Sequence, residues 1–269
     1  MAVDGSLRWT GAALSTNLIV RLKDLAFATS AAHVRQLNGA IKVVQLWPPA
    51  TAPGQALAAT IEIPGLPAAG LRLNGQLTAT QVLKLERLEI KLAGGEITTL
   101  PFAIDPERPR LETILQVNQI DLAELTKLLG IDGLSGTGQL GGRIPIGLED
   151  RIVTVNAGRL AANGPGLLRY QPRTLPTEIA AAGESVELVL RALSDFHYES
   201  LTLDLDKSGS GEGAVLLHLK GNNPAVLSGQ AFNFNIRLES NFDRLVDYAL
   251  LSVRSMGELL RRAARRDVH

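Results

Sequence analysis

Apolar and polar residues alternate along most of this chain. NLIVRLK (17–23) sets Leu18, Val20 and Leu22 on one side and Ile19, Arg21 and Lys23 on the other; LRLNGQLTAT (71–80) sets Leu71, Leu73, Gly75, Leu77 and Ala79 against Arg72, Asn74, Gln76, Thr78 and Thr80. The same pattern runs through 83–92, with a bulge expected at Arg87, and through 111–118, 198–206, 214–220 and 231–239. In the last of these Phe232, Phe234, Ile236 and Leu238 oppose Asn233, Asn235, Arg237 and Glu239. A period of two is the side-chain spacing of a strand, so each segment predicts a strand with one oily and one wet face.

Turn residues punctuate these strands at 47–54, 63–70, 105–109, 147–150, 163–166 and 207–213. Three segments follow the helical period instead. DLAELTKLLG predicts a short helix over 121–129, with Asp121 as N-cap, Glu124 as its capping-box partner and Gly130 as the stop. A second helix is expected over 183–195. A third is expected over 241–266, amphipathic, capped by Ser240 with Asp243 at the box position; Phe242, Val246, Ala249, Val253, Met256 and Leu260 form its apolar stripe. Between the first helix and the strands after it lies GTGQLGG (136–142), which fits G-x-G-x-x-G. A dinucleotide fingerprint needs a strand before it and a helix after it. Here the order is helix, then hairpin, so a nucleotide site is not supported. These glycines join a looser recurrence, Gly followed two residues on by Leu or Ile, at Gly5, Gly39, Gly75, Gly95, Gly138 and Gly158. Glycine within strands marks bulges, bends or close approach, and a strongly curved sheet explains the recurrence.

Composition narrows the function classes. The 269 residues are 45% hydrophobic and 20% charged, with Lys plus Arg equal to Asp plus Glu at 27 each, and only 4% aromatic. Such a chain buries a sizeable core but lacks the cationic, ring-rich surface of a nucleic-acid binder, so nucleic acid is not an expected partner. Without cysteine there is no disulfide, thiolate nucleophile or cysteine-bound zinc. His33, His197, His218 and His269 share no ligand spacing, Asp204 and Asp206 read as solvated strand residues, and Glu149 and Asp150 read as turn residues. No serine lies in a G-x-S-x-G elbow. We therefore expect no enzyme, metal or cofactor. The arginines at 254, 261, 262, 265 and 266 are read as a solvated helix end that complements its dipole, or as attraction for anionic head groups. No stretch approaches the roughly 18–20 apolar residues of a membrane helix. The first residues read as strand and turn, so the chain is expected to be a fragment of a longer protein whose anchor or export signal lies upstream.

The run 133–170, with G-x-G-x-L-x-G-x-I-P and then G-x-L-x-A-x-G-P-G-x-L-R-Y, resembles the C-terminal region of the YdbH family, within the AsmA-like and TamB-like envelope proteins. KGNNPAVLSGQAFNFNIRLESNF (220–242), TAPGQAL and DLAELTKLLG extend the likeness over most of the chain. The resemblance implies a mainly β fold: one continuous module over 1–269, a long, strongly twisted antiparallel sheet curled into an open apolar groove, with a few short helices and a C-terminal amphipathic helix. It implies a Gram-negative periplasmic protein, anchored in the inner membrane by its upstream part, that moves phospholipid towards the outer membrane. It also implies an outer-membrane lipoprotein that adds a strand to the sheet. The family further carries a dicarboxylate-transport label, for which paired Arg or Lys groups are not evident.

Residue chemistry and resemblance agree on mechanism. An acyl chain in water exposes about 15 methylenes at about 0.8 kcal/mol each, roughly 12 kcal/mol, and an apolar trough removes most of that. Twelve to fourteen strands about 4.8 Å apart would span roughly 60 Å. The lining positions expected on this basis are Leu73, Leu77, Leu85, Leu115, Val117, Leu140, Leu203, Leu205, Leu217, Phe232, Phe234 and Ile236. Two other readings stay open: a binding protein for a small acidic solute, and a structural β-protein whose apolar faces close on one another.

Overall fold

The computed structural model describes residues 2–10, 13–28, 33–62, 68–105, 107–149, 152–173, 184–209 and 213–240. Strands dominate: β1 (Ala2–Thr10), β2 (Ala13–Ala28), β3 (His33–Gln45), β4 (Ala50–Thr51), β5 (Gln55–Glu62), β6 (Ala69–Leu77), β7 (Leu83–Leu92), β8 (Gly95–Thr99), β9 (Phe102–Ile104) and β10 (Leu111–Asp121). Helix α1 (Leu122–Leu129) precedes β11 (Leu134–Thr137), β12 (Gln139–Glu149), β13 (Ile152–Ala162) and β14 (Gly166–Tyr170). Helix α2 (Glu184–Leu193) leads to β15 (Phe196–Lys207), β16 (Gly213–Asn222) and β17 (Ala231–Ser240).

All seventeen strands form one antiparallel sheet. Its main line runs β1–β2–β3–β5–β6–β7–β8–β10–β12–β13–β15–β16–β17. Among the described residues β1 pairs only with β2 and β17 only with β16, so the sheet ends at two edges rather than closing into a barrel. At about 4.8 Å per step that line is roughly 60 Å long. The short β4 and β9 pair with β3 and β7, and β11 pairs with β14, which also pairs with β15.

Bulges bend this sheet. Extra residues interrupt the register of β2, β3, β10 and β13, where Asp24, Gln36, Gln119 and Ala157 adopt φ of 49°, 52°, 55° and 52°. A bulge kinks its strand and sharpens the twist, and repeated bulges coil a sheet. The bulge expected at Arg87 falls one residue earlier: Asn74 faces Arg87 and Gly75 faces Leu85, leaving Glu86 as the extra residue.

The recurrent glycines acquire a cause here. At Gly75 an added Cβ would lie 2.7 Å from the Lys84 carbonyl oxygen, and at Gly142, with φ 156°, it would overlap the Arg159 carbonyl and sit 2.9 Å from Leu160 Cα. Neighbouring strands approach too closely there for any side chain. Gly142→Ala is therefore expected to cost about 1–3 kcal/mol in a denaturant titration. An unchanged midpoint would mean that the two strands lie further apart.

Several turns and caps differ from expectation. Residues 71–80 are not all strand: β6 ends at Leu77, and Thr78 to Val82 close a turn in which the Thr78 N–H donates to Val82 O at 3.0 Å. Glu149 belongs to β12, because the apolar alternation continues through Leu148, and it pairs with Arg110 at 3.2 Å. Residues 163–166 interrupt a strand rather than reverse it. Both β13 and β14 run antiparallel to β15, so the chain resumes its direction after Pro165. Asp121 caps α1 as expected, accepting from the Ala123 and Glu124 N–H groups at 2.7 and 3.1 Å, and Gly130 ends it at φ 61°. The reciprocal half of the capping box does not form. The Asp121 N–H donates to Ala93 O instead, and the Glu124 carboxylate pairs with Lys127 at 2.8 Å. The helix expected over 241–266 and His269 lie outside the described residues.

Candidate functional site

Register carries one apolar face across the sheet. Leu22 faces Gly39, Gly39 faces Leu57, and Leu57 faces Leu73. One residue pair lower, a second row passes from Ala59 through Leu71, Ile90, Ile97, Val117, Gly142, Leu160, Leu203 and Leu217 to Ile236. The other expected lining residues join the same face: Leu77 faces Leu83, Leu85 faces Phe102, Leu115 faces Ile144, and Leu140 faces Ile120. Likewise Leu205 faces Val215, Phe232 faces Gly221, and Phe234 faces Leu219.

Charged residues occupy the opposite face. Glu89 lies within 3.5–3.7 Å of Arg72, Arg87 and Lys91, and Lys91 also pairs with Glu96 at 2.8 Å. Asp204 sits 3.1 Å from the His218 ring, which meets Asn235 on its other nitrogen, and 3.7 Å from Arg159. Glu89 is itself buried beneath these cations, while the partners around it and the Asp204 and Arg159 side chains reach water, where such pairs contribute about 0.2–1 kcal/mol each. One charged residue, Lys207, stands at the upper margin of the apolar face; it is buried, with Nζ donating to Gly209 O at 3.0 Å.

Burial along the apolar face is uneven. From β2 to β7 every described Leu, Ile and Val on this side is only half-buried. From β10 to β16 the lower ends of the strands, where Asp121, Ala162, Phe196 and Asn222 lie, enter a sealed core. Val117 is 4% exposed, and Leu140 and Leu219 are fully buried. Leu122 of α1, Leu168 of β14 and Leu193 of α2 close this core from below. Tyr198 crosses it and donates its hydroxyl to Thr137 O at 2.6 Å; burial raises its pKa. At Gly138, φ 122°, a Cβ would collide with that hydroxyl, which answers for the middle glycine of GTGQLGG. Phe234 lies 5.4 Å, ring to ring, from both Phe196 and Phe232.

The closing elements are fastened by polar contacts. Asn223, itself buried, donates to Arg191 O and Ala192 O at the end of α2, and Gln171 donates to Ser194 O. The Arg169 guanidinium, 2.7 Å away, holds the Asp195 carboxyl below its ordinary pKa; desolvation opposes this and His197 adds to it. A depressed carboxylate contributes stability above its unfolded pKa and loses it as pH falls through the folded value. Thermal stability should therefore decline below about pH 4, and Asp195→Asn should flatten that limb of the melting profile. An identical acid limb in the variant would remove Asp195 from the account.

Two clefts, of about 670 and 370 Å³, border the sheet. The first is bounded by Lys91–Gly95 and the Glu124–Leu128 stretch of α1, the second by Gln116–Gln119, Gly141–Arg143 and Asn163. The apolar face thus combines half-buried positions over β2 to β7 with a sealed core at the lower ends of β10 to β16. No helix among the described residues is long and apolar enough to cross a membrane. The model of the YdbH-like family, described as intermembrane phospholipid transport protein YdbH, matches residues 1–253. No curated protein and no solved structure matches the chain.

Proposed function

The chain belongs to the YdbH-like family of intermembrane phospholipid transport proteins, and from that premise we propose that it is a non-catalytic section of a lipid conduit. Acyl chains lie along the apolar face while head groups stay in water at its open side. The observation that carries this reading is the pair of overlapping apolar rows, one from β2 to β6 and one from β5 to β17, half-buried over much of their length and backed by a charged outer face. A half-exposed leucine in water gains about 25 cal/mol per Å² when hydrocarbon covers it. Transfer along the sheet therefore exchanges one dry contact for the next and needs neither bond making nor a cofactor.

Native mass spectrometry after mild purification tests this, with phospholipid expected to accompany the protein. Saturable dicarboxylate binding without lipid would favour a solute-binding protein instead, and neither ligand would leave a structural β-protein.

The conduit works in the periplasm, with the full-length protein held in the inner membrane by its upstream part. An outer-membrane lipoprotein adds a strand at the β17 edge. That edge has Phe232, Phe234 and Ile236 on the apolar face, so a partner strand with alternate apolar residues would lengthen the trough. Because the chain has no cysteine, Asn233→Cys or Asn235→Cys gives a unique thiol there. Disulfide capture of a cysteine-scanned lipoprotein strand is expected with a two-residue period. Capture at β1 alone would place the partner at the opposite edge.

A further inference from the structure

The boundary between sealed and half-exposed residues can be followed from strand to strand, and it lies one residue pair lower on β15 and β16 than on β10, because Val117 shares the register row of Leu203 and Leu217. On β10 it lies between Val117, buried, and Leu115, half-buried; on β15 between Leu201, 3% exposed, and Leu203; on β16 between Leu219, fully buried, and Leu217. The half-buried residues above it adjoin one another through register: Leu115 faces Ile144, Leu205 faces Val215, and Leu203 faces Leu217, which faces Ile236. Over β2 to β7 no such boundary exists among the described residues, because each Leu, Ile and Val on this side whose burial is described is half-buried.

We infer that the trough narrows along its length: acyl chains cross the full width of the apolar face over β2 to β7, and over β10 to β17 they are confined to an upper lane floored by Leu115, Ile144, Leu203, Leu205, Leu217 and Ile236. The inference rests on the lipid-conduit reading above. Its physical basis is packing. Below the boundary the space against the sheet is occupied by Leu122, Leu168, Leu193 and Phe196, and side chains at interior density leave no room for another hydrocarbon. Val117 and Leu140, which alternate in phase with the lane residues, are on this account core residues that support it. Neighbours on one face of a strand are about 7 Å apart. Two such positions per strand make a lane one or two hydrocarbon chains wide, so the C-terminal section passes a single two-chain lipid at a time. The wider section upstream can hold several.

The elements that narrow the lane are held to it by identifiable contacts: the Tyr198 hydroxyl to Thr137 O, and Asn223 to the last carbonyls of α2. Nothing comparable covers β2 to β7 among the described residues.

The test uses the unaltered protein, so no variant has to fold. A phosphatidylethanolamine with a photoreactive diazirine in one acyl chain is loaded, irradiated, and its attachment sites are mapped by peptide mass spectrometry. Over β2 to β7, labelling is expected at both ends of the strands. Over β10 to β17, yield at the lane residues should exceed that at Val117, Leu140, Leu201 and Leu219 by on the order of tenfold, as close packing excludes the probe. Equal labelling on both sides of the boundary would overturn the narrowing while leaving the conduit intact. Absence of label over the whole apolar face would sink the conduit reading, and the narrowing with it.

Discussion

A protein carrying Leu73→Asp together with Leu217→Asp is expected to lose on the order of nine-tenths or more of its copurifying phospholipid while its strand signal in circular dichroism is preserved. The two positions lie on β6 and β16, far apart along the sheet, and both belong to the apolar rows: Leu73 between Leu57 and Leu88, Leu217 between Leu203 and Ile236. Each is half-buried, so a carboxylate there keeps much of its water and the fold tolerates it. A hydrocarbon passing the same point would have to strip that water or leave the floor. Stripping an ionised carboxylate costs several kcal/mol, comparable with the benefit of shielding several methylenes. Undiminished lipid in the double variant, with the fold intact, would remove these rows from the transport path.

The second large effect concerns stability. Leu140→Ala and Leu219→Ala truncate side chains that are fully buried, and each is expected to cost about 2–5 kcal/mol, because neighbours relax only partly into the cavity. In a chain of this size that lowers the melting temperature by roughly 5–20 °C. Leu73→Ala serves as the comparison. Its side chain is only partly buried, so its loss should cost less than about 1.5 kcal/mol. The contrast separates a sealed plug from an unsealed trough. If Leu73→Ala destabilised as severely as Leu140→Ala, the N-terminal half of the apolar face would be an ordinary closed core.

Much of the framework is legible in the alternation and the helix caps. The run 83–92 is strand from end to end, 111–118 and 214–220 lie wholly within β10 and β16, and Asp121 and Gly130 bound α1. These segments combine a clear period with unambiguous caps. β3 carries no legible period, because its bulge at Gln36 and its Gly39 break the alternation and no single phase holds over thirteen residues. β5 is silent because alanines 56, 58 and 59 carry too little hydrophobic contrast, and β11 because LSGT is too short to show a period. The strand break at 163–166 reads as a turn in isolation, since Asn-Gly-Pro-Gly favours reversal; only pairing of β13 and β14 to the same β15 keeps the direction.

The sequence by itself determined that the protein is a ribbon of strands with one greasy side, and which residues share that side. Alternation reports the side a residue faces and nothing about what lies over it. Leu115 and Val117 stand in the same phase on the same strand, yet one is half-exposed and the other buried. Their difference comes from α1, β14 and α2, elements separated from one another along the chain, whose leucines join the same core at the lower strand ends. Depth is a property of what packs on top, and that is settled only when distant segments meet.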